Sequence, residues 1–227
     1  MILSLVGCTG VTNPLNTTST IIDWVDFVKL NNKSYTGVHE AVIADPAFVL
    51  TQQRVGTVKF KVDDVVTNSN YQTKDGDAAF LEIGTPLYEV QGFPDHSMIA
   101  AKDEQSLHGY KLFKDDSVKL NLNYKDIPKQ QVTRIEIYKN SFKNPNSEPK
   151  IIEGKQVKSF IALLDEGKIT QNYQPDMSKG DPTFYDMIFY TDKPYAYKQN
   201  LQDDGMNFYF YPWNVSILSR DIGKMIE

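Results

Sequence analysis

Apolar and polar positions alternate through the first half of the chain. In Val55 to Val62, VGTVKFKV, Val58, Phe60 and Val62 fall on one side and Thr57, Lys59 and Lys61 on the other, the period-2 signature of a strand. Ile21 to Leu30, IIDWVDFVKL, is rich in β-branched and aromatic residues and runs into Asn31-Asn32, predicting a strand and a tight hairpin with Tyr35 on the return. Asp45-Pro46 opens AFVLTQQ, which reads as one or two helical turns. Short apolar segments at Ala78 to Leu81, Pro86 to Val90, Met98 to Ala101 and Tyr110 to Lys114 predict a meander.

After Asp115-Asp116 the pattern changes. Val132 to Tyr138 alternates as a strand, and the loop Lys139 to Lys150 follows with two prolines. Val157, Phe160, Ile161 and Leu164 then recur at i, i+3, i+4 and i+7, with Gly167 placed as a C′ glycine, which predicts an amphipathic helix. TFYDMIFY, PYAYKQNL and MNFYFYPW read as strands, the last two joined at Asp203-Asp204-Gly205. In VSILSRDIGKMIE, Leu218, Ile222, Met225 and Ile226 share a helical face, with Asn214 or Ser216 as cap. The predicted fold class is α+β: a small bent antiparallel sheet or open barrel over 21–116, packed against a β-α-β-β-β-α part over 117–227.

Charge narrows the partners. The net charge is −5. Through Asp115 there are 9 basic and 14 acidic residues, and after it 15 and 15, so neither half carries the basic footprint that nucleic acid requires. A single cysteine excludes an internal disulfide and any Cys-pair metal site.

That cysteine, Cys8, follows Leu5-Val6-Gly7. The run resembles the bacterial lipobox, in which an aliphatic residue and a small residue precede an obligatory cysteine that is diacylated before a membrane peptidase cuts in front of it. Thr9 to Thr20, TGVTNPLNTTST, carries no charge and has the composition of a solvated tether. It spans at most ~40 Å. The resemblance implies residues 1–7 as a signal remnant, 8–20 as lipidated cysteine and tether, and a translation start upstream of Met1. The plain alternative is a small buried thiol.

Further along, GTVKFKV, DGDAAFLEIGTPLYEVQGF and MIAAKD are similar to a pattern in Bacillus-type (low-GC Gram-positive) envelope lipoproteins. There a pair like Gly84-Thr85 precedes a tyrosine like Tyr88 and a Gly-aromatic pair like Gly92-Phe93. This similarity covers about residues 55–115 and, with the lipobox, implies the outer face of the cytoplasmic membrane, reached through the lipid anchor. It carries no functional residues with it.

Catalytic signals are sparse. His39-Glu40 begins like HExxH, but Ile43 occupies the second histidine's place. His96 lies in the loop FPDHSM and His108 is isolated. GxSxG, GxGxxG and GxxxxGK[ST] do not occur. Asp75-Gly76-Asp77 and Asp203-Asp204-Gly205 lack the ligand series of a calcium loop and read as turns. The sequence therefore predicts no catalytic residue, no metal and no cofactor. The aromatic residues are unevenly spread: 11 of 27 fall between Phe184 and Trp213. Core packing accounts for many of them, while Tyr185, Tyr195, Tyr197, Tyr209, Tyr211 and Trp213 form a candidate binding surface for sugar or peptide. The expected function is a non-catalytic binding or interaction module of the cell envelope, engaging an envelope protein or wall component. The competing expectation is a secreted hydrolase acting on wall or peptide substrate.

Overall fold

A computed structural model describes residues 22–63, 65–212 and 214–226. Cys8, the segment around it and Trp213 lie outside these residues.

The first region is built from Phe27–Leu30 (β1), Lys33–Val38 (β2), Ala41–Ile43 (β3), Val49–Thr57 (β4), Phe60–Lys61 (β5), Asp77–Ala78 (β6), Pro86–Val90 (β7), Met98–Lys102 (β8) and Tyr110–Asp115 (β9). All but β3 form one sheet in the order β4-β7-β8-β9-β2-β1-β6-β5. The β1–β2 turn is the one the sequence predicts: Asn31 and Asn32 take φ of 51° and 60° between paired Leu30 and Lys33. Asparagine tolerates the left-handed region that a two-residue hairpin demands at both positions.

The second region contains Arg134–Lys139 (β10), Lys150–Glu153 (β11), Lys155–Asp165 (α1), Lys168–Thr170 (β12), Thr183–Tyr190 (β13), Tyr195–Asp203 (β14), Phe208–Phe210 (β15), Val215–Leu218 (β16) and Gly223–Ile226 (α2). Its sheet runs β11-β10-β13-β14-β15-β16-β12. The first region's β3 crosses over and pairs with β14, placing Ile43 opposite Tyr195 and Ala41 opposite Tyr197.

This corrects the predicted fold class. The protein is 39% strand and 15% helical, a β-rich fold of two large curled sheets rather than α+β. The physical reason lies in short apolar runs whose period is ambiguous. VSIL, assigned to a C-terminal helix, instead pairs with β15 on one side and β12 on the other. Among the described residues a 3-10 turn at Arg220–Ile222 and one turn of helix follow it, and the cap is Ser219, which accepts from Asp221 N. AFVLTQQ likewise becomes a 3-10 turn, Pro46–Phe48, leading into β4. Helix α1 stands as predicted, with Val157, Phe160, Ile161 and Leu164 all buried. Gly167, however, is not a left-handed cap. A Cβ there would strike the Ser216 and Leu218 side chains, so glycine is needed for the close approach of α1's end to β16.

Both faces of the first sheet are covered. Along β8, Met98 and Ala100 enter the core shared with the second region, while Ile99 and Ala101 enter a separate core with Val28, Tyr35 and Phe113. The shared core joins Val90 and Leu112 of the first region to Phe160, Phe189 and Phe208 of the second. A strand buried on both faces carries apolar side chains at consecutive positions. The two sheets are thus one packed unit, and their junction is where unlike elements converge.

Candidate functional site

The junction holds a cleft of about 330 Å³. Five segments line it: the β2–β3 turn with His39, the 3-10 turn Leu107–Gly109 leading into β9 with Lys111, the loop after β10 with Ser141 and Phe142, β13 with Phe184 and Asp186, and β14 with Lys198 and Asn200. Each wall carries a lysine–carboxylate pair. On one, Lys111 Nζ lies 2.6 Å from Oδ2 of buried Asp26, an ion pair without hydrogen-bond alignment, and His39 Nε2 lies 3.9 Å from the same oxygen. Asp26 is fixed from behind: Gly37 N donates to its backbone carbonyl at 2.8 Å, and a Cβ at Gly37 would strike its carboxylate. On the other wall, Lys198 Nζ lies 3.3 Å from Asp186 Oδ2, which also accepts from Ser141 Oγ.

At the rim, Phe142 is 65% exposed and Phe184 38%, their rings edge to face with centroids 6.0 Å apart. Full burial of a phenylalanine is worth roughly 1.5–3 kcal/mol, and each of these forgoes part of it, which makes an exposed pair beside a polar cleft informative.

Next to the cleft, a second polar cluster is closed. His108 has φ of 62°, a left-handed conformation costing about 1–2 kcal/mol, and its ring reaches the second sheet. Its Nδ1 donates to Ile43 O (2.6 Å), since a carbonyl can only accept. Tyr190 Oη and Tyr138 Oη both donate to Glu136 Oε2, at 2.6 and 2.8 Å. With both hydroxyl protons spent there, His108 Nε2 faces oxygen lone pairs, of Tyr190 at 3.1 Å and Tyr138 at 3.4 Å. This arrangement favours a proton on Nε2 as well, and so the imidazolium form.

Burial alone would push the His108 pKa down, but Glu136 and the Ile43 carbonyl outweigh it and raise it. Burial likewise works against ionised Glu136. The donors His108, Tyr190 and Tyr138, with Arg134 nearby, nonetheless hold its pKa at about 2. Burial first, then Glu136, pushes both phenols well above the usual tyrosine range. Arg134 stacks 4.1 Å over the Tyr190 ring and places Nη2 3.3 Å from Glu136 Oε1. Of the buried side-chain polar atoms of this node, only Arg134 Nε lacks a hydrogen-bond partner. It has the form of a lock between sheets.

The aromatic candidates divide. Tyr185, Tyr195, Tyr197 and Tyr209 are buried, Tyr211 is 52% exposed, and Trp213 lies outside the described residues. Tyr195 and Tyr197 accept hydrogen bonds from Lys193 Nζ at 3.2 and 2.7 Å. Tyr209 is covered by Tyr173, whose ring centroid lies 5.0 Å away. The five described candidates therefore do not share one exposed surface. Of these candidates Tyr185 lines the cleft, whose exposed rim is Phe142 and Phe184, and Phe142 had a signal in the sequence: a lone aromatic in the polar loop KNSFKNPNSEPK.

Among the described residues no group of three or more His, Cys, Asp or Glu is placed to hold a metal ion, and no helix is long and apolar enough to cross a membrane. His96 pairs with Glu89 at 3.1 Å, and neither it nor His108 lines the cleft. No family model, curated protein or solved structure matches this chain. The fold and cleft define it only as a two-sheet β protein with a polar, aromatic-rimmed cavity at the junction.

Proposed function

We propose that this chain is a non-catalytic binding module of the cell envelope. In this reading acylated Cys8 tethers it to the outer face of the cytoplasmic membrane, and the inter-sheet cleft takes its ligand. The observation that carries the cleft assignment is the exposed Phe142–Phe184 pair beside two fixed lysine–carboxylate pairs. Pre-positioned polar groups with an apolar platform are the usual composition of a small-ligand site. The tether supports the envelope address, since one diacylglyceryl group supplies the two chains that stable anchoring needs.

The hydrolase alternative lacks a nucleophile–base pair here. Ser141 donates to Asp186, whose other contact is an ammonium group, and no imidazole stands within that pair. One experiment tests the binding reading. Soluble envelope fragments from a Gram-positive cell should raise the melting temperature of the full-length protein and leave Phe142→Ala and Lys198→Ala unshifted. Equal shifts in all three remove the cleft from the proposal, and chromatographic turnover of the fragments restores the hydrolase.

A further inference from the structure

We infer that the cleft is one half of a longer groove whose ligand is an uncharged oligosaccharide; this rests on the binding reading above and names its ligand class. A second cavity, also of about 330 Å³, adjoins the cleft, and His39, Lys198 and Asn200 line both. The shared wall is fixed in place. Lys198 N donates to Glu40 O at 2.8 Å, fastening the turn that carries His39 to β14. The second cavity adds three amide side chains, Asn123, Gln199 and Gln202, and the half-exposed ring of Tyr211. All three amides are held in place: Gln199 Nε2 donates to Leu122 O (3.0 Å) and Lys198 O (2.8 Å), Gln202 Oε1 accepts from Tyr209 Oη (2.9 Å), and Asn123 Nδ2 donates to Asp126 Oδ2 (3.3 Å).

Three features converge on a saccharide. A sugar ring offers neighbouring hydroxyls that each donate and accept, and a side-chain amide or an ammonium–carboxylate pair can meet both demands at once. Its C–H faces are apolar and lie flat on aromatic rings, and each cavity has such a ring at its edge: Phe142 with Phe184 in one, Tyr211 in the other. The charge balance disfavours an anion. Lys111 and Lys198 stand against Asp26, Asp186 and Glu40, two positive charges against three negative, and each lysine already has a carboxylate at 2.6 or 3.3 Å. Each cavity is at the small end of the range for ligand sites, about 300–1,000 Å³, and suits one ring better than several. Two such cavities with a common wall suit rings joined in a chain.

The test is calorimetric titration of the full-length protein with glucose and N-acetylglucosamine and with their β-1,4-linked tetramers, beside an acidic hexapeptide and polyphosphate. The tetramer of at least one series should bind about tenfold or more tighter than its monomer. Tyr211→Ala should erase about tenfold of the tetramer's affinity and leave the monomer's unchanged, as expected for one lost aromatic contact. Phe142→Ala should weaken both. Asn123→Ala provides a second variant in the far cavity, and an unchanged melting temperature shows that each variant is folded. Equal affinity for monomer and tetramer, no response to Tyr211→Ala or Asn123→Ala, or preference for the peptide or polyphosphate overturns the inference. So does the absence of binding to every saccharide. If envelope fragments still shift the wild type but not Phe142→Ala, the ligand class fails and the binding reading stands; if neither test responds, both fail.

Discussion

The His108 node and the cleft lie side by side at the same junction, each joins a carboxylate to a basic side chain beside aromatic rings, and they are opposites. Leu107 lines the cleft and packs with Tyr138 and Tyr190 of the node, so one short turn serves both. In the node, the histidine, the carboxylate and both phenols spend their hydrogen bonds on one another and on a strand carbonyl, out of water. In the cleft, buried Asp26 and partly buried Asp186 stand behind lysines that stay about a quarter exposed, with open phenylalanines in front. Polar side chains alone do not mark a site. What separates a lock from a binding surface is whether the hydrogen-bonding capacity is consumed internally or left facing a cavity.

The comparison breaks most visibly at Glu136. Glu136→Gln removes the carboxylate that His108, Tyr138 and Tyr190 converge on, and removing one partner of a buried pair costs up to about 3–5 kcal/mol, less if His108 then gives up its proton. Urea unfolding should show that loss as a lower midpoint with an unchanged slope. A loss below about 1 kcal/mol would mean the node does not hold the sheets together.

Lys111→Ala applies the same logic to the cleft and should cost less. It strips the ion-pair partner from Asp26, which is 7% exposed and has no hydrogen-bonded donor at either oxygen, for a penalty of about 1–3 kcal/mol. Replacing Asp26 with Asn in the same protein should recover part of it. Full additivity of the two changes would show that the pair is not coupled.

Titration sharpens the contrast further. His108 is raised in the folded protein, so its contribution is complete below the unfolded value near 6.5 and declines as pH rises through the folded value. Glu136 is lowered from 4.5 to about 2, so its contribution is complete above 4.5 and is lost as pH falls toward about 2. Together they place a plateau of stability between those limits. Denaturation midpoints measured across pH should show it, and His108→Gln should flatten the alkaline side. An alkaline limb of equal slope in that variant would assign the proton uptake elsewhere.

What the sequence made legible was local. The Asn31-Asn32 hairpin, the alternating β10 and the amphipathic α1 each depend on neighbours in the chain, and each was readable. β12, β16 and the crossover of β3 depend on distant partners and were not. The node was hidden for the same reason, since His108 meets Ile43, Glu136 and Tyr190 across long separations. Alternation in VTRIEIY also misled: Glu136 and Tyr138 sit opposite the Ile135–Ile137 face and should meet water, but that face is covered as well. Most of the densest aromatic window is core, since Tyr185, Tyr195, Tyr197 and Tyr209 are buried, while Phe184 and Tyr211 of the same window reach the two cavities. Phe142, isolated in a polar loop, is the rim residue outside that window.

Phe142 also supplies the smallest and most discriminating stability test. Its side chain is 65% exposed, touches Phe184 edge to face and fills no core position. Phe142→Ala should therefore change unfolding free energy by no more than about 0.5 kcal/mol, the range of surface substitutions away from special features. Its fluorescence-detected melting curve should overlay that of the wild type at every pH across the plateau. Tyr190→Phe in the node removes a single hydroxyl yet should cost more, because Glu136 loses a buried donor and His108 Nε2 an acceptor. The two variants thus predict a crossed result: a large deletion that stability ignores and ligand binding registers, and a one-atom deletion that stability registers. A Phe142→Ala protein destabilised as much as Tyr190→Phe would make the rim part of the lock and dissolve the distinction between the two clusters.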